Sequence, residues 1–442
     1  MSLKGVDIVR EHVGSPGRPA FCYEMPPAPE TPVFASGDGV WLTDDRGRRY
    51  LDGISGIFVA SLGYGSAPII DAMTTQLRKL AFSPPLHGLH EEPIALAEEL
   101  VRFAGAPFDC AKLLNGGSEA IEAALRVTRL YFRRRGKPHK TKIISNYNGY
   151  HGATYGALSL TGRPDVQRFE PRLPGFVHVW PPDCFACPFG KEYPSCGITC
   201  AGAVEQTILA EGSDSVAAVV VEPLIHLLGM VVPPAEYFAE IRAICDRHDV
   251  LLIFDEIVTG CGRTGRAFAA QTFAVEPDLL CAGKSLSGGY APLSALLMSE
   301  RVSWALRDDD GNAALAPSHT YAGNPVSAVA GRAALALIAR EETLARVRDA
   351  GALLAAELAA AVGSRGRVRG VGLLYGVKLP APPHRAAGEM GKAVESRCRE
   401  RGMIVRGESD WIVVAPAYVT TDAELRQIAR TIGAAIDELW AR

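Results

Sequence analysis

Between residues 109 and 299 short apolar runs rich in β-branched residues alternate with amphipathic stretches of helical period, and this alternation restricts the fold more than any other feature of the chain. The runs fall at 142–145, 217–222, 250–255, 278–282 and 293–298. Between them, 119–134 gathers Ile121, Leu125, Thr128 and Phe132 on one face, and 235–248 gathers Phe238, Ile241 and Cys245. Apolar strands separated by helices make a parallel sheet with crossover connections, so an α/β core is expected. Before it, residues 40–52 read as a small antiparallel unit, Trp41 and Leu42 entering the turn Asp44 to Gly47 and Tyr50 and Leu51 returning. After it, helices at 325–340 and 342–362 lead to strands at 373–379 and 411–414 and a closing helix from Asp422. The expected division is a large domain over 66–330 and a smaller α+β domain built from both ends, 1–65 and 331–442.

A core of that size is affordable, because 48% of the 442 residues are hydrophobic and 21% are charged. The 46 lysines and arginines against 49 aspartates and glutamates leave a formal charge of −3, too little for a field that holds a nucleic-acid backbone. No window approaches the roughly 20 apolar residues that cross a bilayer, and the first residues, with Lys4, Asp7 and Glu11, carry no apolar stretch. Neither nucleic acid nor membrane is expected as a partner, and a cytoplasmic location is expected. Of the 10 cysteines, Cys184, Cys187, Cys196 and Cys200 crowd into one Pro- and Gly-rich segment. Such thiols can hold zinc or pair as disulfides, but the second pair is spaced C-x-x-x-C and the usual knuckle glycines are missing. Reduced, partly buried thiols with no metal are the expectation.

The polar groups that interrupt this pattern fall at strand ends. The run 250–255 is almost wholly apolar, yet it closes on Asp255-Glu256 before a glycine-rich turn from Thr259 to Gly265. Carboxylates at the C-terminal edge of a buried parallel strand stand where open α/β sheets bind ligands. Alone, such a pair is more often a helix cap or a structural ion pair. The next run, 278–282, ends in Gly283-Lys284-Ser285 with glycines at 288 and 289. A lysine behind an apolar strand is desolvated, which lowers its pKa and suits it to imine chemistry. Asn115-Gly116-Gly117-Ser118-Glu119-Ala120 opens an amphipathic stretch, where glycines let backbone N–H groups approach an anion and Ser118 adds a hydroxyl. By itself that motif is most often only a helix start. In Asn148-Gly149-Tyr150-His151-Gly152 an aromatic ring between glycines can lie against a planar ligand, although Tyr150 alone more often packs. Pyridoxal phosphate makes all four clusters sensible, since it needs a lysine for its aldehyde, a phosphate cradle, a carboxylate at its pyridine nitrogen and an aromatic lid.

On these residues the chain resembles the class III (subgroup II) pyridoxal-phosphate aminotransferases from about Val33 to the C-terminus. The segment Asp255 to Gly265, then Pro277-Asp278 and Gly283-Lys284, resembles the family's cofactor signature, and His319 to Pro325 its phosphate-loop motif. The resemblance implies the fold type I, aspartate-aminotransferase-like architecture and a homodimer with shared active sites. It makes Lys284 the Schiff-base lysine and Asp255 the partner of the pyridine nitrogen. Gly117 and Ser118 would bind phosphate, Tyr150 would stack on the ring with His151 a further contact, and Ile257 would pack beneath it. Glu222 of Val221-Glu222-Pro223 would support the pocket, and Thr320 would reach the phosphate of the neighbouring subunit.

Departures from the best-known members bear on substrate. Those using glutamate and 2-oxoglutarate carry a glutamate after Glu-Pro and an arginine near the C-terminus, where this chain has Leu227 and Val413. An apolar pair cannot repay desolvation of a second carboxylate. Arg406, in Ile404-Val405-Arg406-Gly407, resembles the mobile arginine of omega-aminotransferases, with Gly407 giving its loop freedom, and Phe58 lies where relatives shape the pocket with an aromatic. The expected activity is transfer of an amino group from a primary amine or omega-amino acid to a keto acid, pyruvate foremost. An aminomutase of the glutamate-1-semialdehyde type, a decarboxylase and a non-catalytic pyridoxal-phosphate-binding protein are the alternatives.

Overall fold

A computed structural model describes residues 31–441 apart from 86, 308–317 and 383–385. The first 30 residues of the segment expected as 1–65, with Lys4, Asp7 and Glu11, lie outside the described residues. The largest sheet has seven strands. In spatial order they are β4 (Phe108–Leu114), β10 (Ser294–Ser299), β9 (Leu279–Ala282), β8 (Leu251–Glu256), β7 (Val216–Val221), β5 (Lys142–Asn146) and β6 (Phe176–Val179). From β9 to β6 every pairing is parallel. Strand β7, Val-Ala-Ala-Val-Val-Val, is buried along its whole length, as a strand covered on both faces must be.

The run at 293–298 does form a strand, but β10 is antiparallel to both β9 and β4, so the parallel order stops there. The link from β9 is shorter than the dozen or more residues that a crossover helix needs, and a short link returns the chain in the opposite direction. Strands β4 and β6 have no counterpart among the expected runs. Both lie on sheet edges, and Asp109 and Lys112 break the apolar run of β4.

Helix Gly117–Arg134 starts two residues earlier than the periodicity suggests and buries Ile121, Leu125, Thr128 and Phe132. Helix Tyr237–Arg247 buries Phe238, Ile241 and Cys245. Outside the large sheet, β1 (Phe34–Asp38), β2 (Trp41–Asp44) and β3 (Arg49–Asp52) form an antiparallel meander, and β13 (Met403–Ile404) joins β3 in parallel with Met403 opposite Leu51. Chain segments 352 residues apart thus share one sheet. A further sheet runs β11 (Arg367–Val371), β12 (Leu374–Lys378), β15 (Trp411–Val414) and β14 (Arg406–Glu408), with helices Glu341–Val362 and Asp422–Trp440 packed together beside it. Among the described residues no helix is long and apolar enough to cross a membrane.

Candidate active site

Because β5, β7, β8 and β9 run parallel, the residues leaving their C-terminal ends meet at one edge of the sheet. There Tyr150, His151, Glu222, Asp255 and Lys284 line a cavity of about 300 Å³, the lower end of the size range for small-molecule sites. Gly117 and Ser118, the first residues of the 18-residue helix Gly117–Arg134, line the same cavity. Their free N–H groups and the positive end of the helix dipole form an anion cradle.

Lys284 follows Gly283 on a short turn and holds a left-handed backbone, φ 44°. Such strain costs of order 1–3 kcal/mol in a non-glycine residue and persists where the surroundings enforce it. Burial pulls its ammonium below the ordinary lysine range; Asp255 and Glu222 resist that fall, and Arg406 adds to it. Asp255 is buried, with Oδ2 2.7 Å from His151 Nδ1 and Oδ1 accepting from the Ile257 amide at 3.2 Å. Glu256 points to the other side of the strand, where it accepts from the Ala269 and Ala270 amides and the Thr259 hydroxyl. Alternation along β8 therefore separates the two carboxylates and leaves only Asp255 at the cavity.

Close approaches here depend on glycine. A Cβ at Gly117 would stand 3.2 Å from the Ile257 side chain, and one at Gly283 2.9 Å from it, so Ile257 projects into the cavity between two residues without side chains. A Cβ at Gly152 would collide with Ser118 Oγ, which accepts from the Ala153 amide at 3.0 Å.

Glu222 ties the far wall together. Its Oε1 accepts from the Tyr150 amide at 2.8 Å, and its Oε2 lies 2.6 Å from His226 Nδ1. Burial presses this carboxyl upward, but the combined pull of His226, His151 and the Tyr150 amide holds it below the usual range. The His226 ring meets Phe58 edge-on at 5.6 Å and Tyr150 edge-on at 6.0 Å. Sequence reasoning passed over His226. The signal was its spacing, four residues beyond a glutamate that leaves an apolar strand.

Phe58 is not on the cavity surface but directly behind it, buried, at φ 67°, with Lys284 Nζ 5.9 Å from its ring centre. Leu227 is buried and likewise does not line the cavity, while Val413 packs in an apolar cluster with Phe58 and Leu224. Thr320 lies elsewhere, on a larger apolar cavity of about 1390 Å³ that it shares with Leu89 and His319. Arg406 is also outside the lining. Its guanidinium stands 3.5 Å from Glu408, which is 3.6 Å from Arg163.

The expected loop around Arg406 is instead strand β14, Arg406 opposite Val413 and Gly407 opposite Ile412. Gly407 supplies no freedom there; a Cβ on it would run into the carbonyl of Gly391, so close packing is what requires the glycine. Cys184 is exposed, Cys187, Cys196 and Cys200 are half-buried, and all four thiols are free. Among the described residues no group of three or more His, Cys, Asp or Glu could hold a metal ion.

Comparison with known proteins matches residues 26–436 to the family described as aminotransferase class-III. A probable aminotransferase of Mycobacterium tuberculosis is 38% identical over 352 residues, 79% of this chain and 75% of that one. The diaminobutyrate–2-oxoglutarate transaminase of Halomonas elongata is 33% identical, with 90% of this chain and 89% of its own covered. The crystal structure of the omega transaminase of Pseudomonas jessenii in complex with PMP superposes with a TM-score of 0.89 at 32% identity, covering 99% of this chain and 98% of that one. The chain belongs to the class III aminotransferases, the pyridoxal-phosphate-dependent transaminases of fold type I.

Proposed function

We propose that the enzyme transfers the amino group of a primary amine or omega-amino acid to pyruvate, with pyridoxal phosphate held at the Lys284 cavity. The observation that carries this reading is the confluence, at one sheet edge, of a buried and strained Lys284, a buried Asp255 and a helix N-terminus bearing Gly117 and Ser118. That donor set fits the cofactor, which needs an amine for its aldehyde, an anion beside its ring nitrogen and a cradle for its phosphate. When bound, its pyridinium ring supplies a sink for the electron pair left as the C–H bond of the amine-bearing carbon breaks.

The protein's own groups do the rest. Asp255, oriented by His151, holds a proton on the ring nitrogen. Gly117, Ser118 and the helix N-terminus would anchor the phosphate, and Tyr150 and Ile257, which line the same cavity, would pack against the ring. Lys284 Nζ takes the proton from the amine-bearing carbon and returns it one position along, and its lowered basicity keeps a share of it unprotonated for that task. Glu222 fixes the backbone of the Tyr150 loop.

The apolar Leu227 and Val413 favour pyruvate, because neither can pair the second carboxylate of 2-oxoglutarate, the acceptor named for the Halomonas elongata relative. Arg406, near enough to influence Lys284, is the group we assign to the keto-acid carboxylate. We also propose a homodimer in which Thr320 completes the partner's phosphate site, supported by the large apolar cavity beside it and the exposure of Leu89 and Tyr321. The division into 1–65 plus 331–442 and 66–330 belongs to the same reading and is supported by the pairing of β13 with β3. The test is an acceptor panel with a simple amine. Pyruvate should outperform 2-oxoglutarate at least tenfold in kcat/KM, and Lys284→Ala should abolish turnover; faster reaction with 2-oxoglutarate, or activity left in the variant, would overturn the assignment.

A further inference from the structure

Arg369 lies on β11, outside the cavity, and is only 9% exposed. A buried guanidinium is costly unless its donors are engaged, so its partners define what it is for. It is held between the Trp411 and Phe185 rings, 4.2 and 4.8 Å from their centres, and Nη1 pairs with Asp183. The fork also reaches backbone, Nε donating to the Gly229 carbonyl at 2.9 Å and Nη2 to the Leu228 carbonyl. These two carbonyls stand at the end of the turn His226–Leu228, where, as at any helical C-terminus, carbonyls lack partners within the turn. The same turn carries His226 into the cavity wall, with Nδ1 2.6 Å from Glu222 Oε2, while Glu222 Oε1 accepts from the Tyr150 amide. Two glycines bring the far sheet against it. A Cβ on Gly229, φ 72°, would run into the Trp411 ring, and a Cβ on Gly376 of β12 would run into the Gly229 carbonyl. A continuous line of contacts therefore runs from Asp183 through Arg369, the 228–229 carbonyls, His226 and Glu222 to the Tyr150 loop.

We propose that Arg369, anchored by Asp183, is a positioning residue for the cofactor site: by holding the Leu228 and Gly229 carbonyls it fixes the His226 turn and, through Glu222, the Tyr150 loop. The role rests on the reading of the Lys284 cavity as a pyridoxal-phosphate site. Neither packing nor charge alone requires an arginine here. Leucine would fill the space between two rings without desolvating a charge, and lysine would neutralise Asp183. What needs the guanidinium is the simultaneous reach to a carboxylate and two consecutive carbonyls, which a planar fork has and the point charge of an ammonium lacks. The linkage asks for no charge on His226, because a neutral imidazole protonated at Nδ1 already donates to Glu222.

Arg369→Lys tests this, since it keeps a positive charge for Asp183 and gives up the fork. Hydrogen exchange of the holoenzyme, read by mass spectrometry, should quicken roughly tenfold or more at residues 147–152 and 224–231 and stay unchanged in the buried strand β7, because the opening is local. The apoenzyme of the variant should bind pyridoxal phosphate roughly fivefold or more weakly. In the amine half-reaction its loss should not multiply with that of Glu222→Ala, and the double variant should lie within about threefold of Glu222→Ala alone, as two members of one linkage do. Should Arg369→Lys not fold, Asp183→Asn leaves the fork on its carbonyls, removes only the ionic anchor and should quicken the same two segments about threefold. Exchange that quickens equally in β7, exchange unchanged at 147–152, or losses that multiply in the double variant would overturn the proposal. If the wild type transfers no amino group while exchange and cofactor affinity follow Arg369, the reaction assigned to the cavity falls and the positioning role stands. Wild-type transamination with exchange and affinity indifferent to the lysine substitution would leave the reaction and remove the role.

Discussion

At the residue scale, Asp255 and Glu256 show how two adjacent carboxylates acquire opposite duties. Asp255 faces the cavity and is engaged by a histidine; Glu256 is fully buried on the other side, where it ties down the start of the short helix Ala269–Thr272. Burial, reinforced by the charge of Asp255, pushes the Glu256 carboxyl from an ordinary 4.5 up to about 7 in spite of its three hydrogen bonds. A carboxyl whose pKa is raised in the folded state stabilises the fold below its unfolded pKa, and that contribution disappears as pH rises through the folded value. The wild type should therefore lose as much as about 3 kcal/mol relative to Glu256→Gln between pH 4.5 and 7, read by denaturant unfolding at each pH. A constant difference across that window would mean that Glu256 is ionised in the fold. The motif Asp255-Glu256 was visible in the chain, but which of the two faces the ligand depends on the phase of a strand within its sheet.

At the element scale, the placement of Arg406 on β14 changes how it can act. Its backbone is paired with β15 and its neighbour Gly407 is packed against Gly391, so movement is confined to the side chain. Glu408, which it shares with Arg163 at 3.6 Å, holds the guanidinium through a single 3.5 Å contact that is partly exposed and worth well under about 1 kcal/mol, weak enough to be exchanged for a keto-acid carboxylate. Arg406→Ala should raise the KM of pyruvate roughly tenfold or more while changing the amine half-reaction much less, with the two followed separately by stopped-flow absorbance. Equal losses in both halves would remove Arg406 from acceptor binding. The reading of a mobile loop came from a glycine next to an arginine; in the fold that glycine answers a steric demand set by a residue 16 positions away in the chain.

At the scale of the whole molecule, a cavity of about 1390 Å³ bordered by Leu89, which is 83% exposed, and by Thr320 is too apolar to face water without cause. If a second copy covers it, sedimentation equilibrium gives twice the chain mass, and Leu89→Asp weakens association at least tenfold and lowers activity at the same protein concentrations; a fully active monomer would refute the shared site. The sequence by itself determined the α/β class and the apolar strands and pointed to Lys284, Asp255, Gly117 and Ser118 as candidates for one chemical set, with Glu222 added only by the family resemblance, because hydrophobic period and strand-end polar residues are local properties that no partner segment can alter. Only the tertiary structure decided that β10 reverses, that Glu256 turns away from the cavity, that Phe58 stands behind the wall and that His226 stands in it. Each of those outcomes depends on which distant backbone lies within a few ångströms, as Gly391 does of Gly407 and Ile257 of Gly117, and a linear pattern carries no measure of that distance.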